Sequence, residues 1–285
     1  MRVGLVGAGP WAQFVHASML SAEPGMDFVG IWARRPEAAS ELAAAHDVDS
    51  YESIDELFDS CDAVSFAVPP NVQADLAAAA ARRGCHVLLE KPIGSSVAEA
   101  EALTAAIDEA GVGSMVLFTW RYAEAVREFL AAAASFDASG GAGRFVAGGL
   151  LDGPFMTPWR LERGALLDLG PHVIDLLDAA LGPVVGVRAA GDLATWTTLH
   201  LEHESGVVSE ATMSATIGGG VMRSGAELYG PDGVVEIDCA ANGFPPFGNV
   251  TTAFLAAASG DGGFPDAARG LHIQRIIADA EAQLR

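Results

Sequence analysis

Residues 3–12 read VGLVGAGPWA, and no other stretch constrains the fold as tightly. An apolar strand breaks at Gly7 and the chain reopens as a helix, which makes a G-x-G-x-x-A turn with a strand before it and a helix over 10–22 after it. Gly7 permits the tight turn, and Gly9 lets backbone approach a pyrophosphate. Pro10 and Trp11 open the helix, whose N-terminus meets the phosphates, and Ala12 allows close helix–strand packing. The competing reading is an ordinary glycine-rich strand-to-helix turn. The flanking elements favour dinucleotide binding.

The 285 residues suffice for two ordinary domains, and 51% of them are hydrophobic, so a sizeable core is available. The formal net charge is -21, with 37 acidic against 16 basic residues. That disfavours nucleic acid and anionic membrane as partners. Cys61, Cys85 and Cys239 are scattered without metal-type spacing, which fits a reducing compartment. No histidine cluster has zinc-ligand spacing, so no metal is expected. The first apolar run reads as a strand rather than a signal peptide, and no run of ~18 apolar residues occurs. A cytoplasmic protein acting on a small molecule is the expectation.

Up to residue 119 strands and helices alternate. Strands are expected over 2–6, 27–33, 63–68, 86–89 and 114–118, and helices over 10–22, 37–45, 72–83 and 96–110. This predicts an α/β domain over 1–119, a Rossmann-type doubly wound parallel sheet. The pattern then changes. Helices are expected over 122–136 and 166–181, with a Gly/Ser turn at 137–143 between them. Residues 184–238 are strand-rich, with hairpin breaks at 204–206 and 231–233. Helices over 252–258 and 266–284 follow. The second domain, 120–285, is therefore expected to be α+β with a mainly antiparallel open sheet. Its apolar strand run leaves a broad face in need of cover, so a homodimer or homotetramer is expected.

Glu90, Lys91 and Pro92 follow the strand 86–89 directly. Ligands bind outside the carboxyl ends of strands in such sheets, so a lysine there faces the cofactor and is suited to proton transfer. A surface ion pair before a turn is the other reading. Residues 168–175 read DLGPHVID, and helical spacing would put Asp168, His172 and Asp175 on one face. A carboxylate beside the imidazole would orient it and set its tautomer. The alternative is a helix start in which Asp168 caps and His172 is a core histidine.

Taken together, the G-x-G-x-x-A at the start, the E-K-P after a later strand and the D-x-G-x-H-x-x-D in an α+β domain resemble the Gfo/Idh/MocA family. The resemblance spans nearly the whole chain. It implies an NAD(P)-dependent dehydrogenase or reductase acting on CH–OH groups of a sugar, cyclitol or related polyol. Under it, Lys91 handles the proton, His172 with Asp168 forms a second acid/base pair that also touches substrate, and Asp175 supports the site. Two segments depart from the family pattern. Residues 68–73 read VPPNVQ, so Pro69 and Asn71 fall at cofactor-binding positions, but Gln73 stands where the family has histidine. The acid expected at the end of the second strand is Ala33, followed by Arg34 and Arg35. An arginine fork suits a phosphate, so NADP is expected rather than NAD. Arg121 and Arg160 resemble positions near cofactor or substrate, with structural ion pairs as the alternative. A non-catalytic NAD(P)-binding sensor on the same fold is the rival class. Such a protein has no need of Lys91 or His172.

Overall fold

A computed structural model describes residues 1–153 and 156–284. The chain forms two compact units, Met1–Leu117 with Pro246–His272, and Phe118–Pro245 with Ile273–Arg285.

The first unit begins with β1 (Arg2–Val6), whose following helix contains a π-helical stretch (Ala12–Ala17) before α1 (Ser18–Ala22). Then come β2 (Asp27–Trp32), α2 (Pro36–His46), β3 (Asp49–Ser50) and α3 (Ile54–Asp59). The pattern continues through β4 (Ala63–Phe66), α4 (Pro70–Arg82), β5 (His86–Leu89), α5 (Val97–Ala110) and β6 (Ser114–Val116). The six strands lie in the order β3-β2-β1-β4-β5-β6, every neighbour parallel. Val3, Leu5, Val64, Phe66, Val87 and Leu88 are fully buried, as expected of strands covered on both faces. The strand order turns back between β1 and β4, so the loops after these strands flank the switch point where ligands bind.

The second unit starts with a 3-10 turn (Thr119–Tyr122) and α6 (Glu124–Ala133), a shorter helix than the 122–136 expected. Next is β7 (Gly140–Val146), where the sequence suggested a turn. Its glycines have a packing purpose. A Cβ on Gly143 would lie 2.9 Å from Val173 Cγ1 and 3.0 Å from Leu177 Cδ1, so the missing side chain admits a helix against the sheet. The expected helix 166–181 is two helices, α7 (Pro158–Asp168) and α8 (Gly170–Leu181), the latter carrying Val173 and Leu177. Pro171, near the start of α8, supplies no N–H and suits a first helical turn.

The sheet is completed by β8 (Val184–Asp192), β9 (Trp196–His203), β10 (Val208–Ser214), β11 (Arg223–Gly230) and β12 (Gly233–Asp238). Its order is β12-β11-β7-β10-β9-β8; only the β7–β10 pair is parallel. Alternation places Leu199, Leu201, Met213 and Leu228 in the core. The outward positions are mixed: Arg144 pairs with Glu227, which also accepts from Tyr229, and Arg188 pairs with Glu202, while Trp196, Val208 and Val234 are exposed. Exposed apolar side chains thus remain on this face beside the ion pairs.

After α9 (Cys239–Asn242) come α10 (Phe247–Ala258) and α11 (Ala267–Leu284). Residues 246–272 pack with the first unit although they follow the second in sequence. The Thr251 hydroxyl donates to Glu23 at 2.7 Å, and the Val116 N–H, on the edge strand β6, donates to the Pro265 carbonyl at 2.7 Å. This segment caps a sheet edge that would otherwise offer unpaired backbone groups.

The packing account of β7 is testable. Valine has a far higher strand propensity than glycine, yet Gly143→Val should destabilise the protein by about 1–3 kcal/mol, because its Cβ overpacks α8. Urea denaturation measures this, and unchanged or increased stability would contradict the packing.

Candidate active site

The residues expected on the cofactor side lie on the loops at the carboxyl ends of the first sheet. Gly7 has φ +125°, and a Cβ there would sit 2.4 Å from the Ala67 carbonyl oxygen, so the turn after β1 requires glycine. Its N–H donates to the Trp32 carbonyl at 2.9 Å, which ties the turn to the end of β2. A Cβ on Gly9 would meet no protein atom within 4 Å, so backbone at this position faces open space. Pro10 and Trp11 begin the helix, and Ala12 is fully buried against the sheet. Pro69 caps the N-terminus of α4, with Asn71 exposed in its first turn.

Glu90 is the most heavily partnered group of this set. The Trp11 indole N–H donates to Glu90 Oε1 at 2.6 Å, and His16 Nε2 lies 3.0 Å from the same oxygen. The Lys91 backbone N–H reaches Glu90 Oε2 at 3.3 Å. Gln73 clamps the Glu90 backbone from both sides: its Oε1 accepts from the Glu90 N–H at 2.8 Å and its Nε2 donates to the Glu90 carbonyl at 2.7 Å. The residue standing in the family's histidine position therefore fixes the chain immediately before Lys91. The Lys91–Pro92 peptide bond is cis.

His16, in the helix after β1, is fully buried, with Nδ1 2.8 Å from the Ser65 hydroxyl on β4. Nothing in simple helical spacing points to it or to Ser65. Another signal was available and is stronger. Lys91 is the only lysine in the chain; every other basic side chain counted among the 16 is arginine.

At the end of β2, Ala33 presents no carboxylate. Arg34 and Arg35 are exposed, and neither guanidinium has a hydrogen-bond or ion-pair partner among the described residues. The glycine turn, the open space at Gly9, the helix start and these two cations form a donor set that fits a dinucleotide, including one with a ribose phosphate.

In the second unit, His172 is buried in the first turn of α8, its ring 5.2 Å from the Trp120 ring and 6.0 Å from Phe145. Asp168 is not on that helix. It ends α7, with Leu169 between, so the expected shared face on one helix is not what joins Asp168 to His172. Arg160 Nε donates to Asp168 Oδ2 at 3.0 Å, and its guanidinium lies 4.2 Å over the Trp159 ring. Arg121 Nη1 donates to both oxygens of the buried Asp175, at 3.2 and 3.3 Å. Both arginines thus make ion pairs with acids of the 168–175 motif. Burial pushes the Cys61 and Cys239 thiols up to about 12, which holds them protonated and unreactive at neutral pH. No group of His, Cys, Asp and Glu among the described residues could hold a metal ion, and none of the described helices is long and apolar enough to cross a membrane.

Comparison with known proteins gives a consistent picture. The model of an oxidoreductase family with an NAD-binding Rossmann fold, GFO_IDH_MocA, matches residues 1–118, and that of the GFO/IDH/MocA C-terminal domain matches 144–236. A UDP-N-acetylglucosamine 3-dehydrogenase of Acidithiobacillus ferrooxidans is 30% identical over 223 residues, covering 76% of this chain and 68% of that protein. A D-xylose 1-dehydrogenase (NADP(+)) of Haloferax volcanii is 40% identical over 90 residues, 32% of this chain and 27% of that protein. Among solved structures, levoglucosan dehydrogenase in complex with NADH and levoglucosan shares the fold, with TM-score 0.86 and 21% identity over 100% of this chain and 97% of that one.

The Gln73 clamp carries its own prediction. Gln73→Ala leaves the Glu90 N–H and carbonyl without these partners and should cost roughly 2 kcal/mol of stability. A melting and denaturation series measures it, and a variant as stable as the parent would remove the clamp from the account.

Proposed function

The chain belongs to the Gfo/Idh/MocA oxidoreductase family, and we propose that it is an NADP-dependent enzyme transferring hydride to or from a carbinol carbon of a sugar, cyclitol or related polyol. The observation that carries this reading is the single lysine. At every other basic position counted in this chain an arginine serves, for ion pairs and surface charge alike. A guanidinium cannot give up its proton in a protein, whereas an ammonium can. The one lysine stands directly after β5, at the carboxyl edge of the sheet, where a proton-transfer group is required.

A bound nicotinamide supplies the hydride acceptor or donor. For oxidation, unprotonated Lys91 Nζ accepts the proton of the substrate hydroxyl as the carbinol C–H bond is lost; for reduction, the ammonium returns it. His172 is the second proton-handling group in this reading, its ring held by Trp120 and Phe145. Asp168 and Arg160 lie at the same motif, and Arg121 holds Asp175 in place beneath it. The related UDP-N-acetylglucosamine, D-xylose and levoglucosan dehydrogenases are named for sugar substrates, which supports the substrate class.

The NADP preference rests on Ala33 with Arg34 and Arg35. No carboxylate at the end of β2 repels a 2′-phosphate, and two guanidiniums without a partner among the described residues are at hand to bind it. The Haloferax volcanii relative is named for NADP(+), whereas the levoglucosan dehydrogenase structure holds NADH. The residues at the end of β2 are what supports NADP over NAD in this reading.

One experiment tests both parts. The protein is titrated with NADPH and NADH, then offered polyols with NADP+ and keto-sugars with NADPH while absorbance is followed. NADPH should bind at least tenfold more tightly, Ala33→Asp with Arg34→Ala should weaken NADPH more than NADH, and at least one sugar should turn over. Tighter NADH binding overturns the cofactor assignment. Cofactor binding with no turnover across the panel favours the sensor reading.

A further inference from the structure

The helix after the glycine turn contains a π-helical stretch, Ala12–Ala17, in which the backbone closes across five residues instead of four. The effect on side chains is specific. In an α-helix residues five apart point about 140° away from each other. Within a π turn they come nearly one above the other, because the turn closes over that separation. Trp11 and His16 are five apart, and both nitrogen atoms reach a single oxygen, Glu90 Oε1, at 2.6 and 3.0 Å. The wider turn is consistent with this convergence.

The rest of the network closes around that oxygen. His16 is fully buried and the Glu90 side chain is 12% exposed. With Glu90 ionised, His16 carries its proton on Nε2, and Nδ1 accepts the hydrogen of the Ser65 hydroxyl at 2.8 Å. Glu90 Oε2 takes the Lys91 backbone N–H, and Gln73 holds the Glu90 main chain on both sides. The Glu90 carboxylate is thus occupied by N–H groups from the glycine-turn helix and from Lys91 itself. It is an anchor and not a base.

We propose that His16, oriented by Ser65 and acting through Glu90, is a positioning residue for Lys91: the π turn joins the cofactor-binding loop to the lysine and fixes the direction in which the ammonium projects. Removing the His16 donor leaves Glu90 Oε1 with one N–H fewer in a nearly dry site, and the carboxylate must rotate or take up water. Rotation carries the Lys91 N–H with it. The consequence for catalysis rests on the reading of Lys91 as the proton-handling group, but the placement of Lys91 does not, and the two can be tested apart.

The single lysine makes the placement directly observable. Protein labelled with 13C at the lysine Cε gives one side-chain resonance, that of Lys91. His16→Leu should displace this resonance by more than its linewidth, while His16→Gln, which keeps an N–H toward Glu90, should return it close to the wild-type position. Should His16→Leu not fold, Ser65→Ala carries the test, with a displacement in the same direction. A folded His16→Leu or Ser65→Ala whose resonance superimposes on wild type overturns the proposal, as does His16→Gln displaced as far as His16→Leu. A displaced resonance together with full turnover by Lys91→Ala would instead leave the positioning intact and remove the catalytic reading of Lys91.

Discussion

One carboxylate organises the candidate site of the first unit. Glu90 accepts from Trp11, from His16 and from the backbone of Lys91, and its own main chain is gripped by Gln73. Two of the donors come from the helix after β1, the third and the acceptor from the end of β5, and the clamp from α4. Without this anchor the loops at the sheet edge would be separate surface segments. With it, the turn proposed to face a pyrophosphate and the lysine proposed to handle the proton are parts of one hydrogen-bonded body. An anchored carboxylate of this kind holds the neighbouring main chain in place, since its oxygens are committed to N–H donors.

The substitution of Gln73 for the family's histidine fits this picture. A glutamine amide offers a donor and an acceptor side by side, which matches the N–H and carbonyl of a single residue, here Glu90. The network therefore gains a rigid backbone contact where the family pattern alone would leave the outcome open. In the second unit the corresponding rigidity comes from aromatic packing around His172 and from the Arg121–Asp175 pair beneath it. Breaking that pair from one side would leave a buried charge without its partner, which costs far more than losing a surface ion pair.

Much of the fold was legible because local signals agreed with global ones. The strand, Gly7 and the helix after it, the apolar runs of β4 and β5, and Lys91 after β5 all follow from pattern. What was not legible had physical causes. The glycines at 140–143 resemble a turn, but they line a strand that a helix must approach closely. Asp168 and His172 have helical spacing, yet the chain breaks at Leu169 and restarts at Gly170 and Pro171. His16 and Trp11, five residues apart, have no α-helical reason to share a face, and a π-helical stretch separates the helix start from α1. The segment 246–272 joins the first unit through hydrogen bonds at the edge strand β6, a long-range event that no local pattern encodes.

The central claim is that Lys91 is present for a proton it can release, in a chain that otherwise uses arginine. Lys91→Arg keeps the positive charge and much of the length while removing that ability. The direct measurement is the single-turnover rate of hydride transfer in this variant, saturated with cofactor, on a sugar that the wild-type protein turns over. The account predicts a loss of ~100-fold or more with cofactor affinity close to wild type. A rate within a few fold of wild type would contradict it.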